Sequence, residues 1–158
     1  MAQTKTNAQR MLEKAKLPYN AYTYDTSDGL LDGISVSHKV GVSEEKVFKT
    51  LVTRGSSRSV YVFVVPVACE LDLKAAAKAV GEKSIEMVHV AEITPLTGYV
   101  KGGCSPIGMK KRYPTVMDAS AMGQTEIIVS AGRIGDQIAL APQHLAEVTG
   151  GRFEKITF

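Results

Sequence analysis

The stretch Val47-Phe48-Lys49-Thr50-Leu51-Val52-Thr53 leads, through the turn Gly55-Ser56-Ser57-Arg58-Ser59, into Val60-Tyr61-Val62-Phe63-Val64-Val65-Pro66-Val67. The first run is rich in β-branched residues and reads as a strand. The second, from Ser59 to Val67, is almost continuously apolar, which predicts a strand covered on both faces. At a period of two, Val47, Lys49, Leu51 and Thr53 share one face of the first strand, and Phe48, Thr50 and Val52 share the other. Lys49 therefore stands among apolar neighbours. Such a lysine either snorkels to a sheet edge or aims its charge into a wet cavity, at a phosphate or carboxylate.

Working outward, Thr6-Asn7-Ala8-Gln9 has the form of a capping box. Ala8, Met11, Leu12 and Ala15 then lay one apolar stripe along a helix that Leu17-Pro18 ends. Tyr19 to Tyr24 reads as a strand, Ile34 to Val40 as a short helix stopped by Gly41, and Ser43-Glu44-Glu45 as a brief helical start. On the other side, Asp72 caps a helix through Leu73, Ala76, Ala77 and Val80, with Gly81 as its stop. Ser84 to Val88 is strand-like, and Val90 to Thr94 is a helical turn ended by Pro95. Thr115 to Met117, Glu126 to Ser130 and Gln137 to Ala141 are three more short strands. Pro142 opens a last helix running to Thr149, and Phe153 to Phe158 is a closing strand. The order lacks the βαβ rhythm of a doubly wound sheet. It predicts one α/β domain over residues 1–158, mixed and α+β-like, with a partly barrel-like mixed sheet and peripheral helices.

Composition agrees with a single globular domain. The chain has 158 residues, 44% hydrophobic and 22% charged, enough to bury a core without staples. Two cysteines exclude a disulfide scaffold, and no Cys/His cluster has ligand spacing, so neither a metal nor a cofactor is expected. The longest apolar run, residues 60–69, is too short to cross a bilayer. Met1 to Thr6 lacks the apolar core of a secretion leader. A cytoplasmic protein with no membrane partner follows. The net charge of +3 permits contact with a nucleic acid, but no dense basic stripe points to DNA.

The usual catalytic templates fail. Gly102 to Gly108 lacks the ending of a phosphate-binding P-loop, and no G-x-S-x-G elbow is present. His38, His89 and His144 are widely spaced and read as surface residues. Cys69 reads as core. Cys104 reads as a small apolar residue in a tight loop, since no histidine is paired with it to activate the thiol. The segment Gly98 to Gly108 carries four glycines. Such density serves either a tight turn or a backbone that brings N–H groups against a ligand. Lys101, Lys110, Lys111 and Arg112 flank it and could join Lys49 in a basic rim.

Phe48-Lys49-Thr50-Leu51 resembles the lysine strand of the YbaK/EbsC family. Gly98-Tyr99-Val100-Lys101-Gly102-Gly103-Cys104-Ser105-Pro106-Ile107-Gly108 resembles its glycine loop. Thr23-Tyr24-Asp25, Leu71 to Ala76, Lys110-Lys111-Arg112, Ile128 to Gly132 and Leu140-Ala141-Pro142 extend the resemblance, in order, along nearly the whole chain. It implies a relative of the editing domain inserted in bacterial prolyl-tRNA synthetases, acting on Cys-tRNA(Pro) and Cys-tRNA(Cys). It also implies that the substrate's own thiol attacks its carbonyl and expels the tRNA, so the enzyme supplies no nucleophile. On that likeness Lys49 would hold the terminal adenosine phosphate and Thr50 would line the pocket. Gly102 and Gly103 would offer N–H groups near the aminoacyl carbonyl. Tyr24, Ser130 and Asp136 would border the substrate. The implied partner is the aminoacylated tRNA 3′ end, with prolyl-tRNA synthetase as a further one. The family often carries an aromatic residue where this chain has Gly29-Leu30-Leu31-Asp32-Gly33. That leaves open alanine or another small amino acid as the residue removed. A non-catalytic module that binds tRNA ends is the remaining alternative.

Overall fold

A computed structural model describes residues 4–158; Met1 to Gln3, where the reading of the N-terminus begins, lie outside the described residues. In chain order the elements are α1 (Asn7–Lys14), β1 (Asn20–Thr23), α2 (Gly33–Val40), β2 (Phe48–Gly55), β3 (Val60–Pro66), α3 (Leu73–Val80), β4 (Ile85–Met87), α4 (Val90–Thr97), β5 (Thr115–Asp118), β6 (Ile127–Arg133), β7 (Asp136–Leu140), α5 (Pro142–Thr149) and β8 (Arg152–Glu154). Single 3-10 turns occupy Glu44–Lys46 and Ala119–Gly123.

The strands form two sheets. One has the order β4-β2-β3-β5-β8, the other β1-β7-β6. In the larger sheet β2 runs antiparallel to β3 and β4, while β5 lies parallel to β3 and β8. The smaller sheet is antiparallel throughout. The two touch at one parallel bridge, Val47 to Ile128. The mixed α/β architecture with peripheral helices is as the sequence predicts, but the single partly closed sheet resolves into two, and no barrel closes. The cause is how β2 spends its backbone groups. One edge pairs with β3 along its length, and the other pairs with β4 only from Thr53 onward. Past the bridge β2 and β6 form no further ladder among the described residues, and residues of both strands line the site.

Local signals account for most elements. Thr6 and Gln9 form the expected capping box on α1, whose Ala8 and Leu12 are buried. Asp32 caps α2 through Ser35 N–H, and Gly41 ends it in the left-handed region, where glycine carries no steric penalty. The main core places Phe48, Val62, Val64, Met117, Val129 and Ile138 between the sheets and α1 and α5. A second cluster packs Phe63, Val65 and Val116 under α3.

Three expectations are corrected. Pro95 does not end the helical turn at Val90 to Thr94; α4 runs to Thr97 with Pro95 inside it. The Thr97 hydroxyl bonds the Ile93 carbonyl at 2.7 Å and the Gly98 N–H bonds Thr94 O, so the last turn is satisfied despite the missing proline donor. The closing strand is not Phe153 to Phe158 but Arg152–Glu154. Beyond it the Ile156 N–H and the Thr157 hydroxyl turn to the buried carboxylate of Asp118, at 3.0 and 3.1 Å. Cys69 is half-buried in the turn after β3 rather than in the core.

Candidate functional site

The gap between β2 and β6 is a pocket of about 230 Å³. Its floor is built by strand register. Val47 and Ile128 pair across the bridge, and their half-buried same-face neighbours two residues on, Lys49 and Ser130, both line the pocket. Ser130 is the antiparallel partner of Gln137, and Gln137 that of Tyr22, so these three share a row and a face. Tyr24, just past β1, Gly33 and Val36 of α2, and Leu31 before it make one wall. Lys101, Gly102 and Cys104 of the glycine loop also line the pocket.

That loop is held by its own hydrogen bonds. The Tyr99 hydroxyl donates to Ile107 O at 2.7 Å, closing the loop across its base, and the Thr94 hydroxyl donates to Tyr99 O at 2.9 Å. Burial pushes the Tyr99 phenol up to about 12, so it stays a donor. Gly102 has φ of +85°, a backbone shape that side chains disfavour. Gly103 lies hard against the turn between β6 and β7: a Cβ there would stand 2.8 Å from Ile134 N.

The residues picked from sequence therefore separate. Lys49, Thr50, Gly102, Tyr24 and Ser130 are brought together around the pocket. Gly103 is buried behind it, and its N–H is committed to Val100 O at 3.0 Å. Asp136 lies outside the lining. It pairs with Arg133 at 2.9 Å, because one step along a pleated strand reverses the face. Its neighbour Gln137 takes the pocket position, and sequence reasoning missed it. The available signal was the alternation Gln137, Ala139 against Asp136, Ile138, Leu140. The basic rim shrinks to Lys49 and Lys101. Arg112 instead donates to carbonyls at the end of α5, and Lys110 to Pro95 O.

The pocket has a distinct chemistry. Its lining carries two lysines and no carboxylate. Neither lysine has an ion-pair partner among the described residues. Two buried polar atoms of lining residues, Thr50 Oγ1 and Gln137 Oε1, have no hydrogen-bond partner among the described residues, and Gln137 is only 7% exposed. A buried polar atom left without a partner costs about 1–3 kcal/mol, so both are positions at which a ligand or a water is accommodated. Ser130 Oγ accepts from Gly132 N–H at 3.1 Å, which leaves its own proton to donate. No lining residue is a histidine, and burial pushes the Cys104 thiol up to about 11. The arrangement suits binding an anion and a polar group, with no activated protein nucleophile. Among the described residues no group of histidine, cysteine and acidic side chains could hold a metal ion, and no helix is long and apolar enough to cross a membrane.

Comparison with known proteins places this geometry. The sequence profile of the aminoacyl-tRNA editing domain matches residues 34–148. EbsC of Enterococcus faecalis, named as a candidate Cys-tRNA(Pro)/Cys-tRNA(Cys) deacylase, is 47% identical over 98% of this chain and 94% of its own. Among solved structures, a candidate trans-editing enzyme for prolyl-tRNA synthetase superposes with a TM-score of 0.84 over 99% of both chains, at 23% identity. The hypothetical protein APE2540 superposes at 0.88, with 20% identity, over 97% of this chain and all of that one. Those two likenesses show the fold. With the family profile spanning most of the chain, and a relative at nearly half identity, the chain belongs to the aminoacyl-tRNA editing domain family of the YbaK/EbsC type.

Proposed function

We propose that this chain, acting as one editing domain over residues 1–158, removes cysteine from mischarged Cys-tRNA(Pro) and from Cys-tRNA(Cys). The observation that carries the reading is the pocket itself: two lysines with no ion-pair partner among the described residues, two buried polar atoms, and a thiol that burial keeps protonated. A terminal adenosine phosphate supplies the anion for Lys49. Its attraction is worth about 1 kcal/mol in a water-like setting and about 4 at an effective dielectric near 20, for charges ~4 Å apart. The Gly102 N–H and the Ser130 hydroxyl face the aminoacyl carbonyl and steady its oxygen as negative charge builds. Thr50, Tyr24 and Gln137 surround the amino acid, and Gln137 Oε1 accepts from its α-amino group.

Cysteine carries its own nucleophile. Its sulfur attacks the carbonyl carbon, a C–S bond forms, the C–O bond to the ribose breaks, and the thiol proton ends on the departing 3′ oxygen. The cyclic thioester then opens in water. The protein contributes position and charge stabilisation rather than a triad. A synthetase pocket that fits proline discriminates against a residue of similar size by only about 1–3 kcal/mol, which is the error such a second site corrects. The modest charge of +3 suits a protein that grips the tRNA end in the cytoplasm and takes the rest of the tRNA with prolyl-tRNA synthetase.

The test is a panel of Cys-, Ala- and Ser-tRNA(Pro) incubated with wild-type protein and with Lys49→Met. The reading predicts cysteine release well above buffer, and a fall of about 5- to 1,000-fold in Lys49→Met, from the 1–4 kcal/mol above. Release of alanine in preference to cysteine moves the substrate. Binding of the tRNA with no release leaves only an end-binding module.

A further inference from the structure

Lys39 lies in the last turn of α2, and its side chain, 17% exposed, reaches back over residues 25–32. Its Nζ donates to Asp25 O at 2.7 Å, to Asp28 Oδ1 at 2.7 Å and to Leu30 O at 2.8 Å. It also stands 5.8 Å from the centre of the Tyr24 ring, within cation–π range. An ammonium has three protons to donate, and three acceptors at three points of one segment match them. The segment's remaining side-chain bonds are short-range. Asp25 accepts from Ser27, Asp28 from Leu30, and Asp32 caps α2 through Ser35. Among the described residues, Lys39 is the side chain whose hydrogen bonds fasten the middle of the segment to the body of the helix.

What it fastens matters to the pocket. Tyr24 directly precedes the segment and Leu31 lies near its end, and both line the pocket. The helix that anchors it is seated without slack, since a Cβ on Gly33 would stand 2.3 Å from Val67 Cγ1. The Tyr24 backbone is tied to Gly135 O at 2.9 Å, so what Lys39 fixes is the Tyr24 ring and the stretch that carries Leu31.

We propose that Lys39 is the positioning residue that sets the amino-acid wall of this pocket: it holds Tyr24 and Leu31 against α2 and so fixes the space open to the substrate's side chain. The proposal rests on the editing reading above. It makes side-chain size, and not chemistry alone, a product of the Lys39 contacts. A thiol amino acid one methylene longer than cysteine fits only when the wall gives.

Lys39→Met keeps the aliphatic stem and removes the three bonds; Lys39→Arg keeps a cation over Tyr24. Wild type and both variants are compared on cysteinyl- and homocysteinyl-tRNA(Pro), each rate divided by the rate in buffer. With the buffer rate first subtracted from each, the ratio of the two enhancements does not depend on how much protein is folded. It is expected to shift toward homocysteine at least fivefold in Lys39→Met, with Lys39→Arg closer to wild type. Amide hydrogen exchange is measured in parallel, and residues 25–32 are expected to exchange at least tenfold faster in Lys39→Met, with β2 and β3 unchanged. A substrate ratio within twofold of wild type, or exchange that does not change, overturns the proposal. A wild-type protein that accelerates neither ester overturns the editing reading instead, and the exchange measurement still decides whether Lys39 ties the segment.

Discussion

Substituting Gly103 with alanine tests whether the glycine loop works by close approach. The new Cβ would stand 2.8 Å from Ile134 N, 3.0 Å from Arg133 C and 3.2 Å from Arg133 Cα. All three are backbone atoms of the turn between β6 and β7, so no rotamer relieves them. Ordinary contact begins at 3.4 Å, and loop and turn must separate by 3.4 − 2.8, about 0.6 Å. Overpacking of this kind costs about 1–3 kcal/mol. At about 2–4 °C per kcal/mol for a chain of this length, Tm falls by about 2–12 °C. Gly102 rides on the same loop and moves with it. A displacement of about 1 Å can cost about 100-fold in rate, so about 0.6 Å is expected to cost roughly tenfold in kcat. Gly81→Ala is the control: φ is +75°, nothing lies within 4 Å, and the position is outside the pocket lining. It carries strain of about 1–2 kcal/mol and should lower Tm while leaving kcat unchanged well below the transition. Calorimetry and single-turnover release from Cys-tRNA(Pro) read both. A Gly103→Ala protein with wild-type Tm and rate, or a Gly81→Ala protein equally impaired in kcat, would refute the reasoning.

Gln137→Leu removes an orphaned buried acceptor, so stability should hold or rise by up to about 1–3 kcal/mol, while cysteine release falls at least tenfold; denaturant melts and deacylation rates check the pair. Cys104→Ala should keep kcat/KM within about threefold, since burial pushes that thiol up to about 11 and leaves it protonated at pH 7. Glu82 accepts from Ser57 and Tyr61, which together hold its carboxyl down at about 2, against an ordinary 4.5. A carboxylate depressed on folding stabilises the protein above its unfolded pKa, and that contribution is lost as pH falls through the folded value. Wild-type Tm should therefore drop between pH 4.5 and about 2, and Glu82→Gln should flatten that drop; parallel acid melts of the two proteins decide it.

Sequence legibility followed the range of the forces. The capping box at Thr6, the Asp72 and Gly81 limits of α3, and Pro142 at the start of α5 are local devices, and the structure has them where the sequence puts them. Pro95 misled because the bonds that rescue α4 come from Thr97 and Gly98, beyond the proline. Lys49 stood out as an odd cation in an apolar strand and Gly102 as a glycine in a dense loop, while Thr50 came only from the resemblance to the family's lysine strand. Gln137 did not stand out: alternation along the strand separates it from Asp136, Ile138 and Leu140, and the pairing of β6 with β7 then shows that its side faces the gap. Lys39 gave no signal at all. Its partners are 9 to 14 residues away in an irregular segment, and no periodicity marks such a contact. The division into two sheets was equally hidden, since it depends on how far β2 and β6 stay paired after Val47.

The claim at the centre is that the pocket positions a substrate that attacks itself. The direct measurement is release from Cys-tRNA(Pro) beside release from its S-methylcysteinyl counterpart, with the same protein under the same conditions. The methyl group blocks the sulfur nucleophile and leaves the ester, the α-amino group and the tRNA end in place. The account predicts rapid loss of cysteine and loss of S-methylcysteine no faster than in buffer. Equal cleavage of the two would contradict it and require a nucleophile from the protein or from water.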